Sequence, residues 1–285
     1  QKVRIYDAKG KLIGYLTKQG QVASSENFFK ANVYCIKQLA DGSIWLGTRG
    51  DGLFILRQKG HDAKQYEVEP YKHDPSQPYS ISNNDIYSIL EDSRKNIWIG
   101  CFGGGINLVR PATGKDLQFI HSGNQLPFYP HADFSKVRCL AETAEGIIMV
   151  GTTKGLVCFS STFQTPDQIR FYTHIRDPND ASSLSNNNVI YIYTTRKREV
   201  YISTLGGGVN KIVSSPLTPD QMTFKSYSKK SGLPFDWVLS TIEDAKGNLW
   251  FISENTLSKF NPRTEQFDNY SRDFLKHKSF YSEAL

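Results

Sequence analysis

Asn84-Asp85-Ile86-Tyr87-Ser88-Ile89-Leu90-Glu91-Asp92-Ser93-Arg94-Lys95-Asn96-Ile97-Trp98-Ile99-Gly100, followed shortly by Gly103-Gly104-Gly105-Ile106-Asn107-Leu108, decides the fold of this 285-residue chain. Short alternating apolar runs are separated by Asp, Asn and Gly, the pattern of half-buried strands joined by tight turns. The spacing predicts strands over 86–91, 97–101, 105–109 and 117–121, four antiparallel strands in one unit.

The same unit recurs four more times. It is seen earlier as Val33-Tyr34-Cys35-Ile36 and Asp41-Gly42-Ser43-Ile44-Trp45-Leu46-Gly47. It returns as Val137-Arg138-Cys139-Leu140 with Ile147-Ile148-Met149-Val150-Gly151, and as Val189-Ile190-Tyr191-Ile192 with Val200-Tyr201-Ile202-Ser203. The last copy is Val238-Leu239-Ser240-Thr241-Ile242 with Leu249-Trp250-Phe251-Ile252. Anchored on Trp45, Trp98, Met149, Tyr201 and Trp250, the spacings are 53, 51, 52 and 49 residues. A unit of about 50 residues with four strands has the size of one propeller blade, whose faces are buried only by neighbouring blades. The expected fold is therefore all-β, a β-propeller of four-stranded antiparallel blades, with repeats over about 32–71, 84–121, 136–172, 188–227 and 237–270. The anchor aromatics, Trp45, Trp98 and Trp250 among them, are expected between blades. Residues 1–285 read as one propeller region cut mid-repeat at both ends: Val3–Asp7 and Lys11–Tyr15 fit the outer strands of an earlier blade, and Ser279–Leu285 the first strand of a later one.

Composition narrows the function. A net charge of +6 raises the question of nucleic acid, but the basic residues are scattered; the densest groups, Arg196-Lys197-Arg198 and Lys229-Lys230, fall at turns, as solvated charge or as part of an anion-binding patch. No nucleic-acid partner is expected. No apolar run approaches a membrane span, so no membrane contact by this chain is expected either. Cys35, Cys101, Cys139 and Cys158 lack metal-ligand spacing; Cys35 and Cys139 read as small buried hydrophobes, with a disulfide the alternative. Neither metal nor cofactor is expected. Gly103-Gly104-Gly105 and Gly206-Gly207-Gly208 lead into strands, so they read as tight turns with positive φ and not as phosphate cradles. The six histidines share no register, and Glu91-Asp92 and Glu243-Asp244 recur at one turn of different blades, which argues for turn capping and against catalysis.

Asp85–Asp92, Asn96–Gly100 and Gly103–Asn107 resemble the two-component regulator propeller repeat. The likeness extends to the connections, where His73-Asp74-Pro75 and Ser80-Ile81-Ser82-Asn83-Asn84 match Arg176-Asp177-Pro178 and Ser183-Leu184-Ser185-Asn186-Asn187. The third and fourth copies depart from it in Met149 and Tyr201, and the fourth replaces the Asp-x-x-Gly turn by Thr195-Arg196-Lys197-Arg198, which puts that turn's geometry in question. The resemblance implies the seven-bladed periplasmic sensor propellers of Bacteroides-type hybrid two-component histidine kinases, which sense oligosaccharides and signal to a cytoplasmic kinase absent from this chain. Implied partners are an oligosaccharide and the rest of the sensor chain, with a homodimer left open. The alternatives are a propeller glycoside hydrolase or lyase, and a protein-interaction scaffold.

Strand direction puts the inter-blade connections and the turns between second and third strands on one face. There lie Arg49, Asp51, Phe102, Lys154 and Glu254 from the turns, and His73, Tyr79, Tyr129, His131, Arg176, Asp177 and Trp237 from the connections. Sugars stack on aromatic rings while Arg and carboxylates take their hydroxyls, and this set offers both. Trp237 stands out as the tryptophan off the packing register; it reads either as a stacking platform or as a strand-start aromatic buried beside Phe235.

Overall fold

A computed structural model describes residues 3–24, 31–60, 65–112 and 116–271. Each of the five repeats becomes one antiparallel sheet whose strands follow in chain order. The first holds β4 (Asn32–Gln38), β5 (Ile44–Arg49), β6 (Leu53–Gln58) and β7 (Tyr66–Tyr71), and the second β8 (Ile86–Glu91), β9 (Ile97–Cys101), β10 (Gly105–Pro111) and β11 (Leu117–Ile120). The third holds β12 (Val137–Glu142), β13 (Ile147–Thr152), β14 (Gly155–Ser160) and β15 (Tyr172–His174). The fourth holds β16 (Val189–Thr194), β17 (Val200–Thr204), β18 (Val209–Ile212) and β19 (Phe224–Tyr227), and the fifth β20 (Ser240–Glu243), β21 (Leu249–Ile252), β22 (Thr256–Asn261) and β23 (Gln266–Ser271). Before them β1 (Arg4–Tyr6) and β2 (Leu12–Leu16) pair with each other, but β2, expected as the last strand of its blade, is the middle one of three, with the two-residue strand β3 (Val22–Ala23) on its other side. The later strand expected over Ser279–Leu285 lies outside the described residues, as do His61 and His277.

Blades meet through the anchor register. Trp45, Trp98, Met149 and Tyr201 are buried, and the Trp98 ring lies edge-on to Phe159 of the next blade at 4.9 Å. The glycine that follows this register sets the blade spacing: a Cβ on Gly47, Gly100 or Gly151 would lie 2.6 Å from Ile86, Val137 or Val189 of the following first strand. Trp250 corrects the expectation of burial. It is only half-buried, stacked on Tyr270 of its own blade at 5.8 Å, because no further blade covers that side among the described residues.

The acidic pair at the first turn divides its work, a second correction. Asp92 accepts from the Arg94 and Asn96 amides and from the Trp98 indole, capping its own turn, and Asp244 does the same toward Lys246, Asn248 and Trp250. The glutamates instead reach back one blade: Glu91 accepts from the Ala40 amide, Glu142 from the Ser93 amide and hydroxyl, and Glu243 from the Arg196 amide. Turn geometry survives the drift of the fourth copy. Arg198 takes φ 67°, matching Lys95 at 69° and Gly42, Gly146 and Gly247, while the Thr195 hydroxyl accepts from the Glu199 amide where Asp92 would.

Candidate functional site

The glycine triplets seat the connections on the same face as the turns between second and third strands. Gly103 and Gly105, at φ 107° and 70°, both donate their amides to the Ser135 carbonyl, and Gly206 and Gly208 donate likewise to Asp236. Just beyond, Asn107 and Asn210 accept the Ser82 and Ser185 amides at 2.9 Å and pin the incoming connections. Two short bridges close the arrangement, Phe102 to Lys136 and Leu205 to Trp237.

The first strand of each blade carries the chemistry. Pairing steps from Val33–Thr48 to Cys35–Gly47, from Ile86–Cys101 to Ser88–Gly100, from Val137–Thr152 to Cys139–Gly151 and from Val189–Thr204 to Tyr191–Ser203. Each jump is a β-bulge, which leaves one residue unpaired and re-aims its side chain. The unpaired residues are Tyr34, Tyr87, Arg138 and Ile190. Because the first strands of consecutive blades run side by side, such positions of neighbouring blades come close. Tyr34 and Tyr87 have ring centroids 4.7 Å apart, and Tyr87 stacks on Phe102 at 5.0 Å and 22°. The Arg138 guanidinium and the Lys136 ammonium stand 5.4 and 5.7 Å from the Phe102 centroid. At the other end Arg49 donates to the Tyr34 hydroxyl at 3.4 Å. The result is a ladder of aromatic and cationic groups across three blades. Burial, with the neighbouring Tyr34 next in importance, pushes the Tyr87 phenol up, while the Tyr34 hydroxyl holds Arg49 in its charged form. The Arg138 Nε is buried and has no hydrogen-bond partner.

Of the residues expected on this face, Arg49 and Phe102 belong to the ladder. Asp51 is engaged by Lys72 at 3.6 Å. His73 and Arg176 occupy equivalent places: their amides donate to Asn84 and Asn187, and the following Asp74 and Asp177 amides donate to Ser80 and Ser183. Both residues are exposed, and the His73 ring lies 2.8 Å from the Ile81 carbonyl. Asp177 also caps Asn179, so its carboxylate is a turn element. Tyr79 lies along the outer strand, its carbonyl accepting from Phe119 and its hydroxyl from Gln125. Tyr129 is a correction: it is buried, donates to the Phe134 carbonyl at 2.7 Å and packs edge-on against Phe171, because the glycine turn beneath it leaves room for a ring. His131 is half-buried at the rim of a shallow depression shared with Ser122, Gly123 and Asp133. Lys154 and Glu254 are exposed. Trp237 is 56% exposed and Phe235 beside it is exposed too, which removes the buried-aromatic alternative.

Sequence reasoning missed Tyr34, Tyr87, Lys136 and Arg138. A signal was present: the residue after the strand-opening Val or Ile is Tyr, Tyr, Arg or Ile, a position of shifting chemistry between apolar ones that repeat. For the remaining chemistry, burial pushes the Cys35, Cys101 and Cys139 thiols up to about 12, so they behave as apolar groups. All four cysteines are free thiols. Burial pushes His121 and His174 down, and the latter's Nε2 sits 2.8 Å from the Pro219 carbonyl. Among the described residues no cluster of three or more His, Cys, Asp or Glu side chains is arranged to hold a metal, and no helix is long and apolar enough to cross a membrane.

Fold and repeat together define a β-propeller architecture of four-stranded antiparallel blades. The family pattern described as two component regulator propeller matches residues 27–50 and 80–103. The chain is similar to the extracellular domain of a protein described as a hybrid two component system of B. thetaiotaomicron, at 19% identity and TM-score 0.60 over 88% of this chain and 30% of that one. It is also similar to a catalytically inactive virginiamycin B lyase of Staphylococcus aureus, at 14% identity and TM-score 0.61 over 95% of this chain and 77% of that one. Both likenesses are of fold. A curated relative, histidine kinase P4 of Formosa agariphila, is 29% identical over 77 residues, 27% of this chain and 5% of that protein. The chain thus spans less than a third of the sensor ectodomain and a twentieth of the kinase.

Proposed function

We propose that this chain is a ligand-sensing portion of a periplasmic propeller in a hybrid two-component sensor, recognising an oligosaccharide and passing its occupancy to a kinase elsewhere in the whole protein. The carrying observation is the ladder. The bulged position of the first strand, which no pairing constrains, carries Tyr34, Tyr87 and Arg138, which join into one row as Tyr34 packs on Tyr87, Tyr87 on Phe102 and Arg138 over the Phe102 ring. The exposed Trp237 ring on the same kind of bridge adds a stacking platform. The repeat type, the fold shared with the hybrid two component system ectodomain and the local likeness to histidine kinase P4 support the class.

Calorimetric titration of an oligosaccharide panel tests it. Trp237→Ala is expected to weaken a genuine ligand by about fivefold, the loss of about 1 kcal/mol of stacking, with an unchanged melting temperature. Equal affinities would remove Trp237 from the site. Mass analysis after incubation separates sensing from catalysis, since a sensor returns the sugar intact and a lyase or hydrolase does not. Silence of the whole panel, in calorimetry and in thermal shift, would favour a protein-interaction scaffold.

A further inference from the structure

The ladder offers a ligand little ring surface. Phe102 is stacked by Tyr87 and approached over its ring by Arg138 and Lys136, and Tyr87 is also packed by Tyr34. What remains available is a row of donors: guanidinium, ammonium and phenol groups. Several cations elsewhere in the chain are paired, Arg57 with Asp41, Lys72 with Asp51, Lys211 with Glu199 and Lys225 with Glu265. Among the described residues Arg49, Lys136 and Arg138 form no ion pair, and Asp85 is the carboxylate whose charge reaches Arg49 and Tyr87. Three positive charges thus lie along one ladder, Arg138 half-buried and Arg49 and Lys136 exposed, and their summed field favours an anion there.

Resting on the reading of this face as a sugar site, we propose that the Arg49–Tyr34–Tyr87–Phe102–Lys136–Arg138 ladder selects acidic oligosaccharides, those bearing a uronate carboxylate or a sulfate ester. A guanidinium binds either anion through two parallel hydrogen bonds, and the buried, unpartnered Arg138 Nε supplies a donor already freed of water. The phenol hydroxyls of Tyr34 and Tyr87 would take neighbouring sugar hydroxyls.

The test titrates the protein with matched pairs, each uronate oligomer beside its methyl ester and each sulfated oligomer beside its desulfated form. The acidic member of at least one pair is expected to bind ten times or more tightly than its neutral partner, and the advantage is expected to shrink as salt is raised. Arg138→Met should bring the acidic ligand to the level of the neutral one. Arg49→Gln, at an exposed position, serves the same end should Arg138→Met fold poorly. Lys246→Gln, on a distant exposed turn, should change nothing. Equal binding of both members of every pair would overturn acid selection while leaving sugar sensing intact; an equal effect of Lys246→Gln would overturn the ladder's role. Silence across the panel would overturn both readings.

Discussion

The indole of Trp98 donates to Asp92 at 3.0 Å and packs its ring against Phe159 and Phe163 of the next blade, so one residue joins a turn to an inter-blade seam. Trp250 keeps the turn bond to Asp244 at 3.1 Å but faces no such seam. The same residue type at the same register therefore has two energetic values. Trp98→Ala is expected to destabilise by about 3–5 kcal/mol, the range for emptying a buried aromatic site, and Trp250→Ala by about half of that. Urea unfolding of the two variants checks this, and equal losses would show that inter-blade packing does not set the difference.

At the scale of the element, the turn between first and second strands is a small electrostatic device. Asp244 receives the Asn248 side chain, the Trp250 indole and the Asn248 and Lys246 amides, and these bonds, the Asn248 side chain foremost, hold its carboxyl well below the usual carboxylate range. A depressed folded value means that the ionised form stabilises the fold. That contribution is fully present above the unfolded value of about 3.9 and is lost as pH falls toward the folded one. Asp244→Asn removes it at neutral pH, so the variant's melting temperature should fall less than the parent's between about pH 5 and pH 2.5. Parallel pH profiles would show that the cap does not report through this carboxyl. Beside it the glutamates Glu91, Glu142 and Glu243 tie the second, third and fifth blades to the turn of the one before, a linkage no single repeat contains.

Across the whole molecule the blades form an arc whose two end faces differ from its middle. Ile36 on the first full blade is 61% exposed and Ile242 on the fifth 55%, while Ile89 at the equivalent place of Ile36 is buried. The N-terminal sheet covers part of the first blade through Leu16, which packs with Leu46, Leu56 and, at the start of the inner strand, Val33, but it leaves Ile36 exposed. Local opening follows local burial. Amide exchange is therefore expected to be slower in β8 and β12 than in β4 and β20 by tenfold or more, measured on this chain by mass spectrometry. Uniform exchange would mean that the arc opens as one unit rather than blade by blade.

Much of this architecture was legible because a blade is written in local terms. Alternation sets each strand, Asp and Gly set each turn, and the recurrence of Trp45, Trp98, Met149, Tyr201 and Trp250 sets the register, all within about 50 residues of chain. The glycine triplets were readable as turns for the same reason. The site was less legible. Arg49 and Phe102 could be placed from strand direction, yet Tyr34, Tyr87 and Arg138 are drawn together by bulges, and a bulge shows itself only in how a strand pairs with its neighbour. Tyr129 looked like a surface residue until the Phe134 carbonyl took its hydroxyl, and Trp250 looked buried although no blade among the described residues packs over it. The sequence by itself determined the unit and its repetition, since those rest on contacts within one repeat. Tertiary structure alone decided which side chains of successive units meet and which are left to solvent, because that depends on contacts between residues a full repeat apart.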